Sequence, residues 1–206
     1  MNFDFICRSD HRVGMGHLAR CRILAEEVIA QGGDAQIHLL DPTETLLQRL
    51  QSHPIPTSEW RGYFDIDSGI VVTDLGHEPL PSGLLPLAKG RQLARIGPVG
   101  AAEGNEGWLI DTNPRAIPET VDFAGPTFLP ISTAIRERRP SQIASLTFGR
   151  RLLITFGGSD PCHLTRAVVE AITENDVAWA EIHVVLGPLF PDPVGFKAYA
   201  RQCLGD

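Results

Sequence analysis

No Cys-x-x-Cys pair occurs in this chain; its four cysteines, Cys7, Cys21, Cys162 and Cys203, are widely scattered. That spacing excludes a zinc knuckle and gives no disulfide framework, so a reducing, cytoplasmic setting is the simplest expectation. No apolar run approaches the roughly 18 residues of a membrane span, and the opening MNFDFICRSD has neither a basic leader nor a long apolar segment. Export and membrane insertion are therefore not expected. Basic charge is also scarce: the 206 residues carry a formal net charge of -7, without the basic stripe that binding to a phosphate backbone rewards. Nucleic acid is not an expected partner. Gly-x-Ser-x-Gly is missing, which removes the common serine-hydrolase elbow. His11, His17, His77 and His163 fall near predicted strand ends together with Asp10, Asp74 and Asp160, but none of them has zincin spacing. Neither a metal nor a cofactor is expected.

What is present is the composition of a globular protein, 43% hydrophobic and 21% charged. An apolar run over Asn2 to Cys7 stops at Arg8, and a loop containing glycine leads into Leu18 to Ala30, where Leu18, Cys21, Leu24, Ala25 and Val28 recur at the helical period. Gly32 and Gly33 end that helix, and Ala35 to Leu40 reads as a second strand. The alternation continues with a helix from about Thr43 to Gln51, a strand at Gly69 to Asp74, a helix at Leu80 to Lys89, and strands at Gln92 to Ile96 and Trp108 to Ile110. Such an order predicts an α/β fold with a parallel sheet covered on both faces. Pro126 to Pro140 reads as a connector, giving a Rossmann-like domain over 1–140. A second α/β unit over 141–206 opens with a strand at Arg151 to Phe156, a helix at His163 to Thr173 and a strand at Ile182 to Leu186. A complete domain of this class takes on the order of 100 to 150 residues, so the second unit is expected to be incomplete.

In open parallel sheets ligands bind beyond the carboxyl ends of the strands. Three polar clusters fall there: Arg8-Ser9-Asp10 with Gly14 to His17, then Asp74, then Gly157 to Asp160. Gly14 and Gly16 allow close backbone approach, and the positive end of the following helix favours an anion such as a diphosphate. His17 begins that helix, where the dipole disfavours an imidazolium and leaves a ring able to accept a proton. A lone histidine there can equally cap or pack; the two glycines and Asp10 in the same loop favour a general base. Gly14-x-Gly16-x-x-Ala19 also satisfies the loose dinucleotide fingerprint, with Asp41 available to a ribose. Against that reading, Arg8 to Val13 separates the strand from Gly14, whereas a dinucleotide fold turns almost at once. Thr155-Phe156-Gly157-Gly158-Ser159-Asp160-Pro161 forms a second strand-to-glycine-to-helix junction that suits a phosphate, with Ser159 or Asp160 also capping the helix.

Phe5-Ile6-Cys7-Arg8-Ser9-Asp10, Val13-Gly14-Met15-Gly16-His17-Leu18-Ala19-Arg20-Cys21, Val72-Thr73-Asp74, Ile110-Asp111-Thr112-Asn113 and Thr155 to Pro161 occur in one order along the chain. In this the chain resembles the pseudaminic-acid pathway hydrolases that cleave UDP-2,4-diacetamido-2,4,6-trideoxy-β-L-altropyranose, together with their spore-coat polysaccharide relatives. The resemblance implies a GT-B-like fold, two Rossmann-like domains facing across a cleft, in a metal-independent enzyme that releases UDP and a free sugar. It places the catalytic residues on His17, the histidine that activates the water, and Asp10, with Asp10 and Arg8 shaping the sugar side and Gly157, Gly158 and Ser159 meeting the diphosphate. Arg20, Asp74, Asn113 and Asp160 fall in the matched motifs and are expected to bind substrate alongside Gly14 and Gly16. Phe128-Leu129-Pro130-Ile131-Ser132 departs from the Tyr-Ala-Leu-Leu-Arg-like stretch common in that family. The later family motifs that grip the uridine have no counterpart before Asp206.

Two other readings stay open. A GT-B glycosyltransferase would use a UDP-sugar donor with an acceptor in place of water. An inactive binding remnant would self-associate through the apolar sheet edge of an incomplete second domain.

Overall fold

The computed structural model describes residues 1–10, 13–63, 69–76, 80–81, 83–84, 92–97, 107–113, 121–139, 150–175 and 178–205. The chain forms two compact units, one of Met1–Ser9 with His17–Arg136, the other of Asp10–Gly16 with Glu137–Asp206. In the first, the elements are β1 (Asn2–Arg8), α1 (Gly16–Ala30), β2 (Asp34–Leu40), α2 (Glu44–Leu50), β3 (Thr57–Glu59), β4 (Ile70–Asp74), β5 (Gln92–Ile96), β6 (Trp108–Asp111), β7 (Phe123–Ala124) and α3 (Thr133–Glu137). The seven strands form one sheet in the order β3-β2-β1-β4-β5-β6-β7, with every pairing parallel. This is the Rossmann-like order, in which the chain winds outward from β1 in one direction and then from β4 in the other.

The sequence explains the layers. β1 and β4 sit at the centre, and Phe5, Ile6, Cys7 and Val71 are fully buried; a parallel strand covered on both faces needs such an unbroken apolar run. Helix α1 buries Leu18, Cys21 and Ala25, spaced to form one stripe along it. It ends at Gly32, whose φ of 80° is left-handed, while the amide of Gly33 returns to the carbonyl of Val28 at 2.9 Å. Thr43 caps α2, its hydroxyl accepting from the amide of Leu46 at 3.2 Å. On one side of the sheet Ile6, Val71, Leu84 and Leu93 make a common core, with Leu40, Trp60 and Leu80 against it.

The second unit contains β8 (Arg151–Thr155), α4 (Leu164–Glu174), β9 (Glu181–Val185) and α5 (Pro193–Leu204). Its two strands are parallel and in register, Arg151 beside Glu181 and Thr155 beside Val185. Ile154, Val169 and Phe196 form its core, joined by Ile182, Val184 and Tyr199. The α/β class and the N-terminal parallel Rossmann-like sheet are thus as expected, and a β-α-β-α unit follows in the chain.

Most element boundaries fall within a residue or two of their sequence expectation, the usual latitude of such ends. β3 and β7 are additions: strands of three and two residues are too short to carry a periodic signal. The connector expected from Pro126 also holds a 3-10 turn at Pro126–Phe128 and the short α3. Most of the helix expected at Leu80 to Lys89 and of the glycine-rich stretch from Gly97 to Gly107, with His11, Arg12, His77 and Pro140, lies outside the described residues. Among the described residues no helix is long and apolar enough to cross a membrane, and no group of three His, Cys, Asp or Glu side chains is gathered as metal ligands would be.

Candidate active site

The point where the sheet order reverses lies between β1 and β4, and in such sheets the crevice beyond the strand ends is where ligands bind. The sequence places a histidine and an aspartate there from opposite sides. His17 is the second residue of α1, the helix that follows β1, and Asp74 is the last residue of β4, beside Cys7 in the sheet register. Arg20 lies one turn along α1 from His17, at the i,i+3 spacing that puts both on one helix face.

These three side chains meet. His17 Nδ1 lies 2.6 Å from Asp74 Oδ1. Arg20 grips the same carboxylate with Nε on Oδ2 at 2.7 Å and Nη2 on Oδ1 at 2.8 Å. Asp74 is fully buried, so its charge is offset by the guanidinium rather than by water. An ionised carboxylate only accepts hydrogen bonds, and the 2.6 Å contact therefore puts a proton on Nδ1, which donates to Oδ1. Arg20 Nη2 stands 2.8 Å from Nδ1, the third side of a triangle in which Oδ1 accepts from both nitrogens. The hydrogen bond to Asp74 raises the Arg20 pKa further against the opposing effect of burial, so the guanidinium is charged throughout the working range. With Nδ1 held by Asp74, the neutral form of the ring carries its lone pair on Nε2, the arrangement of an aspartate-oriented general base.

Gly76, two residues past β4, lies against the His17 ring, and Gly97, just past β5, lies against Gly76. A Cβ built on Gly76 would stand 3.2 Å from His17 Cε1 and 3.5 Å from Nε2, and one on Gly97 would stand 3.5 Å from the α-carbon of Gly76. The other expected residues of this unit are engaged elsewhere. Arg8, at the end of β1, pairs through Nη2 with Asp41 Oδ2 at 2.7 Å, just past β2. Asn113 is exposed beyond β6, and its amide donates to Asp111 Oδ1 at 2.9 Å. Cys7 and Cys21 are fully buried neighbours; hydrogen bonding to Cys7 and then burial push the Cys21 thiol well up, which leaves it no nucleophilic character.

In the second unit, Asp10 closes its own turn: its side chain accepts from the amide of Val13 at 3.0 Å and its carbonyl from the amide of Gly14 at 2.9 Å. Gly14 has a left-handed φ of 71°, and a Cβ there would lie 3.4 Å from Ser159 Oγ. Gly158 faces Met15 so closely that a Cβ would lie 2.7 Å from Met15 Cγ. Ser159 is 4% exposed, and its buried hydroxyl makes no hydrogen bond among the described residues. Asp160 stands three residues before His163, the N-cap position of α4, and its carboxylate reaches over to accept from the first two helix amides, of Leu164 and Thr165, at 2.9 Å each. Burial opposes its ionisation, but the hydrogen bonds from Thr165 and Leu164 outweigh this and hold the carboxyl below its ordinary value. Gly157 and Gly158 lie between β8 and Asp160.

The structure thus joins His17, Arg20 and Asp74, and separately Gly14 and Ser159. The sequence motifs include all five residues but do not reveal the carboxylate shared by His17 and Arg20. That link depends on β1 and β4 being sheet neighbours, a long-range fact carried by no local pattern. No protein-family model matches the chain, and no curated protein matches it. The chain is similar to the crystal structure of Acinetobacter baumannii MurG, with a TM-score of 0.42 and 10% identity over 97% of this chain and 71% of that one. A likeness this remote does not bear on function.

Proposed function

We propose that the protein is an enzyme acting on a nucleotide-linked sugar, with His17 as the general base that activates a hydroxyl for attack on the anomeric carbon. The observation that carries the reading is the 2.6 Å contact between His17 Nδ1 and the buried Asp74 carboxylate, at the reversal point of a parallel sheet. A base so oriented abstracts a proton through Nε2 as the nucleophile attacks. The sequence resemblance supports water as that nucleophile and a UDP-linked diacetamido-trideoxy sugar as the substrate, giving UDP and the free sugar.

Loss of the nucleoside diphosphate passes through an oxocarbenium-like state and needs donors for the charge that develops on the leaving group. Gly157, Gly158 and Ser159 are assigned to that diphosphate, because the buried Ser159 hydroxyl has no hydrogen-bond partner among the described residues. Asp160 is assigned to holding α4, because its carboxylate is taken up by two helix amides. Arg8, Asp10, Gly14, Gly16 and Asn113 are assigned to the sugar and its surroundings. In the rival reading, a glycosyltransferase, the same base would deprotonate an acceptor hydroxyl.

The deciding experiment incubates the purified chain with the UDP-sugar and no acceptor, and follows UDP. UDP release that disappears in His17→Ala supports hydrolysis. Release that requires an added sugar acceptor transfers the reading to a glycosyltransferase. Equal turnover by His17→Ala and the parent would remove His17 from the chemistry altogether.

A further inference from the structure

We propose that Arg20 is a positioning residue, whose two-pronged grip on Asp74 keeps the His17 proton on Nδ1 and so leaves Nε2 able to act as the base. The inference rests on the reading of His17 as the base, but concerns a residue whose expected role was substrate binding.

The geometry gives the reason. A carboxylate joined to a strand end by one methylene can turn about its Cβ–Cγ bond, and each turn would change which oxygen, if any, meets the imidazole. Nε and Nη2 of Arg20 occupy Oδ2 and Oδ1 together, at 2.7 and 2.8 Å. The planar guanidinium therefore fixes the carboxylate plane, which a lysine ammonium, a point charge with no fork, cannot do. His17 and Arg20 share one face of α1, so the helix that delivers the base also delivers the clamp that orients its partner.

Arg20 also sets what happens when the clamp is broken. Its Nη2 stands 2.8 Å from His17 Nδ1 and has only protons to offer. With Asp74 in place, Oδ1 absorbs both donors. With Asp74 turned away, the nearest hydrogen bond left to Nη2 is donation to Nδ1, which moves the ring proton to Nε2 and removes the basic lone pair from the reacting side. The same three atoms thus hold the productive tautomer only while the Arg20 fork and the Asp74 carboxylate stay matched.

Nitrogen-15 NMR of the histidine ring reads the tautomer directly and needs no substrate. In the parent, His17 is expected in its Nδ1–H form; an Nε2–H ring there would overturn the proposal at once. Arg20→Met should convert the single form into a mixture, and lower kcat on the UDP-sugar about 100-fold with KM within about twofold. Arg20→Lys should recover part of kcat and part of the tautomer. A raised KM with the Nδ1–H form intact would instead make Arg20 a direct substrate contact. Circular dichroism establishes that each variant folds, and the parent tautomer decides the proposal where one does not. If the tautomer responds as expected but His17→Ala keeps full turnover, the positioning stands and the reading of His17 as base fails.

Discussion

Gly76 presents its bare α-carbon to the ring of His17: a methyl group there would stand 3.2 Å from Cε1 and 3.5 Å from Nε2. The first distance is tighter than ordinary van der Waals contact, and the ring cannot give way without loosening its 2.6 Å hydrogen bond to Asp74. Gly76 also has a φ of 63°, where an L-residue is strained by about 1 kcal/mol. Gly76→Ala is therefore expected to lower thermal stability modestly and kcat/KM by about tenfold. Differential scanning fluorimetry and steady-state kinetics on the UDP-sugar check this; unaltered kinetics would mean that Nε2 does not work from this side of the ring.

Asp74→Asn isolates the charge of the carboxylate from its shape. An asparagine preserves the volume, but its oxygen and nitrogen cannot both accept from Arg20 and His17. The Arg20 guanidinium is then free to donate to Nδ1, which selects the tautomer with Nε2 protonated. Loss of the correct tautomer in an aspartate-oriented histidine base reduces turnover by on the order of 1,000-fold or more. The expected result is a kcat reduced to that extent, with substrate affinity nearly unchanged by calorimetry with a nucleotide ligand. A decrease below about tenfold would assign Asp74 to packing alone.

The parts of this molecule that were legible in its sequence are those fixed by neighbours along the chain. The apolar run at Phe5 to Cys7, the stripe Leu18, Cys21 and Ala25, and the glycines after Ala30 each depend on a single period or cap, and each became the element expected. His17 was legible as a candidate base because a helix start and two glycines adjoin it. The contacts of Asp74 are not legible in the sequence: a strand-end aspartate marks a ligand site, but nothing local shows that its buried carboxylate meets His17 and Arg20. Its partners lie 57 and 54 residues away, and only the strand order brings them together. Asp160 shows the opposite case, since a carboxylate that accepts from the first amides of the helix after a Gly-Gly-Ser-Asp turn follows a local rule.

His38 and Asp4 form a second buried pair, Nε2 to Oδ1 at 2.8 Å, linking β2 to β1. Trp60 meets the His38 ring edge-on, with centroids 5.5 Å apart. Breaking a buried ionisable pair by removing one member is strongly destabilising, by about 3 kcal/mol, because the remaining polar group loses a partner in a low-dielectric site. His38→Leu should show that loss in urea unfolding, and Asp4→Leu a similar one. The double variant should lose less than the two singles combined, since replacing both members by apolar groups removes the stranded polar atom. Strict additivity in this cycle would mean that the two side chains do not stabilise each other.

Asp160 gives the second unit a pH dependence with a defined direction. Its carboxyl titrates below the ordinary value of 3.8 in the folded chain, so between those two values the folded state binds fewer protons than the unfolded one. Stability therefore rises with pH in that range. The contribution is complete above the ordinary carboxylate value and is lost as pH falls through the lowered one. Asp160→Asn retains one acceptor for the amides of Leu164 and Thr165 but not the charge, and is expected to cost about 1 kcal/mol at pH 7. Urea midpoints of parent and variant at pH 7, 5 and 3 measure the difference, which should hold from pH 7 to 5 and shrink at pH 3. A difference of equal size at pH 3 and pH 7 would mean that the cap acts through its shape, and that the charge of Asp160 contributes nothing to holding α4.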